Sequence, residues 1–307
     1  MRNSFISSLV EAARKDKSIC LIVGDIGYSV VEPFADEFPD RFINAGVAEQ
    51  NMAGLAAGMA SEGFHVFCYS IANFPTFRCA EQIRNDICYH NLAVTIVAVG
   101  GGLAYGNLGF SHHATQDYAL MRGMPNMTIA APGDPKEVEA CMNYIIKNPG
   151  PSYLRLGKAG EKVIHNSVPK LDDKSWQLLH NGNSNLTIVA TGTAVQIALN
   201  FINNTGHINV NLYSIPIWND NTKYELPQIL QKTKKLLCLE DHQHDGGFGS
   251  WLLEGLFEAK LLDKINYDFI GLSKNAARLV GSEKTLLKEC GLSNKNIIER
   301  LNSLLIA

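Results

Sequence analysis

No apolar run in this 307-residue chain reaches the length of about 18 that a membrane span needs, and Met1-Arg2-Asn3-Ser4-Phe5 lacks the apolar core of a signal peptide. A cytoplasmic protein without a membrane partner is expected. Basic excess is missing too. A net charge of -3 with 19% charged residues gives no field for nucleic acid, which favours a small molecule or a protein as partner. The seven cysteines are odd in number, scattered and without a C-x-x-C pair, so they read as reduced core residues and not as disulfides or metal ligands. Internal repeats and low-complexity tracts are also absent. What is present is 46% hydrophobic content over a length that suggests two cored domains.

The first half alternates amphipathic and continuously apolar segments. Residues 4–13 read as a helix, 20–23 and 66–70 as buried strands, 76–89 as a helix, 93–99 and 127–131 as strands, 135–146 as a helix and 153–156 as a strand. Strands that are apolar throughout and separated by helices predict a parallel sheet covered on both faces, a doubly wound α/β domain over residues 1–165. The turn Ala131-Pro132-Gly133-Asp134-Pro135 stops a strand and starts a helix, with Asp134 as N-cap and Pro135 at the first helical position. The apolar period fails between 161 and 185, which marks a polar connector over 166–182 with room for one short strand. A second α/β domain is expected over 183–307. Its strands are 186–190, 210–215 and 236–239, its helices 194–202 and 248–258, with two short helices closing the chain around 283–290 and 295–304.

One acid stands out in Asn44-Ala45-Gly46-Val47-Ala48-Glu49-Gln50-Asn51-Met52. Residues 41–43 read as a strand, and Met52, Leu55, Ala56 and Met59 recur at helical spacing, so Glu49 sits where a strand turns into a helix. A carboxyl among apolar neighbours is costly to ionise. Its pKa is expected to rise, which would let it share a proton with a bound base. Helix capping is the competing reading, since acids are common in a first turn. Gly54 and Gly58, four apart on the same helix, leave one face bare, which suits either a helix contact between subunits or close internal packing.

The run 46–52, then Tyr69-Ser70-Ile71-Ala72-Asn73-Phe74-Pro75-Thr76-Phe77-Arg78 and Glu81-Gln82-Ile83-Arg84-Asn85-Asp86, resembles the pyrimidine-binding half of transketolases. Gly106-Asn107-Leu108-Gly109-Phe110-Ser111-His112-His113-Ala114 and the segment 150–157 extend the likeness over about residues 1–160. The remainder looks like the transketolase C-terminal domain, through Glu240-Asp241-His242 and Gly246-Gly247-Phe248-Gly249-Ser250. The resemblance is to the C-terminal subunit of split, two-chain enzymes. It implies thiamine diphosphate chemistry in which Glu49 hydrogen-bonds the cofactor's aminopyrimidine, Phe74 stacks on that ring and Phe77 extends the wall. Asp25 and Ile26 match positions beside the thiazolium, and His112 matches a histidine that touches the sugar substrate. Each has a plainer alternative: core aromatics for Phe74 and Phe77, a strand-end turn for Asp25, a surface loop residue for His112. Arg78 reads as a salt-bridge partner near the helix start.

The likeness has gaps. Leu108 falls where the family carries Asp, and a hydroxyl buried against an aliphatic loses a partner at a cost of about 1 to 3 kcal/mol. Gly100 falls where transketolases use a histidine, whereas Arg2, Ser29 and Arg155 match the family's phosphate-binding set and Lys158 could add a point charge. A solvated strand end is the alternative for Arg155 and Lys158. The expected acceptor is therefore a modified or nucleotide-linked keto sugar, not the ordinary pentose phosphate pair. No Gly-Asp-Gly occurs, the motif through which the family holds the diphosphate by way of a metal, and the glycine-rich segments 100–103 and 246–249 do not replace it. The resemblance hence implies a partner chain, an N-terminal transketolase-like subunit that holds the diphosphate with Mg²⁺ or Ca²⁺. Active sites would lie at the subunit interface of an α2β2 assembly with a homodimeric contact. Residues 240–244 read as a solvated loop in preference to a metal cluster. Transfer of a two-carbon ketol unit to a sugar is the leading activity; decarboxylating acetyl transfer from pyruvate and a silent scaffold subunit are the alternatives.

Overall fold

The continuous apolar runs become the middle of a sheet. In the computed structural model, which describes residues 1–172, 176–206, 209–224 and 226–306, the first sheet contains β1 (Ile19–Val23), β2 (Phe42–Asn44), β3 (His65–Ile71), β4 (Val94–Val99), β5 (Thr128–Ala130) and β6 (Ser152–Leu156). They lie in the order β5-β6-β4-β3-β1-β2, all parallel. Every residue of β1, β3, β4 and β6 is buried, as strands covered on both faces require. Helices Arg2–Lys15 and Pro135–Lys147 pack together on one face, around Phe5, Leu9, Val138 and Ile145. Helix Glu49–Ser61 covers the other face with Met52, Ala53 and Ala56.

The second sheet contains β7 (Gln177–His180), β8 (Leu186–Ala190), β9 (Asn211–Ser214), β11 (Lys235–Gln243) and β12 (Asn266–Leu272) in the order β12-β11-β8-β9-β7, with only β7 antiparallel. The architecture is α/β, two doubly wound sheets in succession. The two-residue strand β10 (Ile217–Trp218) leaves the second half of the chain to pair antiparallel with β5, placing Ile217 opposite Ala130 and Trp218 opposite Ile129. The sheets are thereby stitched together. Ala131 adds two bonds at the same place, its N–H to the Pro216 carbonyl (2.7 Å) and its carbonyl from the Gly192 N–H (2.9 Å).

Several local expectations change. The helix expected over 76–89 starts earlier, at Asn73–Phe77, breaks near Cys79, and resumes as Ala80–Gln82 and a π-helical turn Ile83–Cys88. Strand β12 has no counterpart in the apolar pattern, because Asn266 and Asp268 interrupt it at an edge. Asp134 caps its helix by accepting from the Glu137 N–H (2.7 Å), and its other oxygen accepts the N–H groups of Ile164 and His165 (2.6 and 2.9 Å). One carboxylate thus starts a helix and anchors the connector. A Cβ built at Gly54 or Gly58 would meet nothing within 4 Å, so internal packing does not explain these glycines. All seven cysteines are buried and free. No helix among the described residues is long and apolar enough to cross a membrane.

Candidate active site

Parallel strands deliver their carboxyl ends to one rim, where ligands of open α/β sheets bind. At this rim β1 runs into Gly24-Asp25-Ile26, β2 ends at Asn44 ahead of Glu49, and β3 runs into Asn73 and Phe74. Glu49 opens its helix but caps nothing: Ala48 is the N-cap and no side chain caps the turn. The Glu49 carboxyl is 4% exposed and folds inward against the strand ends, where a Cβ at Gly24 would lie 3.8 Å from its Cγ. Beside Gly24, the buried Ser70 Oγ has no hydrogen-bond partner. A cleft of about 480 Å³ opens over residues 47–51 and Arg78.

The surroundings of Glu49 are not wholly apolar, contrary to the sequence expectation. Arg78 Nη1 donates to both Glu49 oxygens, at 3.0 and 2.9 Å, while its guanidinium carbon lies 4.3 Å from the centre of the Phe74 ring. The helix break near Cys79 leaves Arg78 at the rim. Phe74 meets the His112 ring edge-on at 5.1 Å and 70°, so acid, arginine, aromatic and histidine form one continuous line. Asn73 Nδ2 donates to the Ser111 carbonyl (2.8 Å) and Ser111 Oγ lies 3.0 Å from His112 Nδ1, which fixes the histidine loop to the same rim. Phe77 is 41% exposed and makes no ring contact with Phe74 among the described residues.

The histidine loop also rests on the second domain, a support invisible in the sequence. The Gly281 N–H donates to the Gly106 carbonyl (3.1 Å), and a Cβ at Gly106 would overlap Leu286. Leu108, 55% exposed, stands at the loop's surface, and His113 is buried against Phe110 with its pKa lowered by burial. Asp25, at φ 53°, accepts from Asn44 Nδ2 (3.0 Å) and from the Tyr28 hydroxyl (3.2 Å), while the Ile26 side chain beside it is half-buried. Ser29, at φ 65°, donates its N–H to Glu32 (2.7 Å).

Arg155 is the main correction. It was expected to meet a phosphate, yet it is buried, and its donors are taken by Asp117 (2.7 Å), Asp241 (2.6 Å), the Tyr118 hydroxyl (3.2 Å) and the Ala114 carbonyl (3.0 Å). It bridges the two domains and has no donor left for a ligand. Arg2 interacts with Tyr69, and the Lys158 Nζ lies 4.8 Å from the Tyr105 ring. The glycine-rich segments are packing devices. Side chains at 100, 101 and 102 would overlap Tyr105, Arg155 and Asp241 in turn, so no larger residue fits at any of the three. Gly247 and Gly249 make room for the Glu240 carboxylate, which accepts the Phe248 and Gly249 N–H groups (2.7 and 3.0 Å) at a helix start. No group of three or more His, Cys, Asp or Glu among the described residues is placed to hold a metal.

The comparisons agree with this architecture. The family model for the transketolase pyrimidine binding domain matches residues 1–160, and that for the transketolase C-terminal domain matches 175–297. A protein of Methanocaldococcus jannaschii named "Putative transketolase C-terminal section" is 34% identical over 98% of this chain and 95% of its own length. One of the subunits of an apulose-4-phosphate transketolase, from Actinobacillus succinogenes, is 28% identical over 99% of this chain and 98% of its own length. A 1-deoxy-D-xylulose-5-phosphate synthase of Clostridium perfringens is 31% identical over 86% of this chain but only 43% of its own length. A solved split-gene transketolase, described as an inactive beta4 tetramer, superposes with a TM-score of 0.86 at 29% identity, covering 99% of this chain and 97% of that one. The chain belongs to the transketolase family and carries its pyrimidine-binding and C-terminal domains in that order.

Proposed function

We propose that this subunit completes a thiamine diphosphate site and transfers a two-carbon ketol unit between sugars. The observation that carries the reading is the shared grip of Glu49 and Phe74 on one flat cationic group, the Arg78 guanidinium. An acid and an aromatic face that hold a planar hydrogen-bonding group fit the aminopyrimidine ring. When bound, thiamine diphosphate supplies the carbon nucleophile that carries the two-carbon unit. Glu49 would hold a proton at a ring nitrogen, and Phe74 would orient the ring by stacking. Asp25 and Ile26 border the same rim, and Phe77 is left as outer wall. His112, braced on Phe74, would hydrogen-bond a substrate hydroxyl and pass its proton.

The cofactor's diphosphate and its Mg²⁺ or Ca²⁺ are assigned to an N-terminal partner chain, a reading supported by the likeness to a split-gene transketolase. Arg2, Ser29 and Lys158 form the proposed anion grip for substrate. A relative named for apulose 4-phosphate supports a phosphorylated sugar as one substrate. The test is reconstitution with the partner. Glu49→Gln should lower kcat for ketol transfer by about 10²-fold or more with the complex intact. Full activity of that variant would leave a scaffold role in its place.

A further inference from the structure

The contact that identifies the site also obstructs it. A ring that stacks on Phe74 and reaches the Glu49 carboxylate must lie where the Arg78 guanidinium lies, because that one group touches both. Among the described residues no other side chain hydrogen-bonds the Glu49 carboxylate. The Arg78 side chain is itself 49% exposed, against 4% for Glu49, so the cation can leave towards solvent while the acid cannot.

We infer, on the basis of the function proposed above, that Arg78 is a placeholder for the aminopyrimidine. It keeps Glu49 and Phe74 partnered in the unloaded subunit and swings out when the ring enters. The physical need is clear. A buried carboxylate without a counter-charge is strongly destabilising, and a guanidinium is the side chain that combines a fixed plane for stacking with a donor for the acid. Lysine would supply the charge without the plane. The arrangement divides binding into two steps, withdrawal of Arg78 and then seating of the ring, so the apparent affinity is the intrinsic one reduced by the open fraction.

The experiment titrates the full chain with 4-amino-5-hydroxymethyl-2-methylpyrimidine, the ring without diphosphate, and titrates the assembled complex with thiamine diphosphate and Mg²⁺. Wild type, Arg78→Ala, Arg78→Lys and Glu49→Gln are compared. Arg78→Ala should tighten both ligands by about tenfold, chiefly through a faster on-rate, while lowering the melting temperature of the unloaded chain and leaving that of the loaded complex unchanged. Arg78→Lys should fall between the two. Unchanged or weaker binding by Arg78→Ala, with Glu49→Gln still losing affinity, would overturn the placeholder and leave the site standing. Binding indifferent to Glu49→Gln would overturn the site itself.

Discussion

Glu49 and Leu108 show how single side chains set what this rim can do. Glu49 was legible from its place at a strand-to-helix turn in an apolar run. Its partner was not, since Arg78 lies 29 residues on and reaches it only because the helix after β3 breaks. Leu108 presents an aliphatic at the surface of the histidine loop, where the resemblance to the family implies an acceptor. In the assembled enzyme, Leu108→Asp should raise kcat/KM for a hydroxylated ketose donor by about tenfold relative to pyruvate. Equal effects on the two donors would show that position 108 does not face the substrate.

At the scale of elements, the strand-to-helix junctions carry the chemistry and the stability together. Helix Phe248–Glu258 begins on a buried internal carboxyl group, Glu240, whose oxygens accept its first N–H groups. Burial pushes this carboxyl up to about 8, against 4.5 for an ordinary glutamate. The folded chain therefore keeps a proton that the unfolded chain has released between these values. The stability this contributes is complete below about pH 4.5 and erodes as pH rises through 8. Comparing urea midpoints of wild type and Glu240→Gln from pH 5 to 8, the advantage of wild type should shrink by up to about 1.4 kcal/mol per pH unit. A constant difference would mean that Glu240 ionises alike in both states. Sequence periodicity located this helix and β11, but not why Gly247 and Gly249 stand there: they clear space for a carboxyl group seven and nine residues earlier.

Across the whole molecule, one buried ionic cluster joins the halves. Arg155 on β6 holds Asp117 of the first domain and Asp241 of the second, and it also lies 4.3 Å over the Tyr118 ring. Removing the cation strands two buried carboxylates. Arg155→Ala should cost about 3 to 5 kcal/mol in urea unfolding and uncouple the histidine loop from its support on the second domain. A loss below about 1 kcal/mol would show that the halves are held by β10 and the apolar contacts alone. The cluster could not be read from the sequence, where Arg155 sits in Tyr153-Leu154-Arg155-Leu156-Gly157 and looks like a charge at a strand end.

What the sequence by itself determined is what depends on neighbours along the chain. Apolar runs specified the buried parallel strands, Asp134-Pro135 specified a helix start, and the segments around Glu49, Phe74 and His112 pointed to the family. Tertiary structure decided which charges are partnered. Arg78 against Glu49, Arg155 between two aspartates and the second domain beneath Gly106 all join residues far apart in the chain. The reason is physical. Secondary structure follows periodicity over a few residues, whereas the cost of burying a charge is settled only by what packs against it in three dimensions.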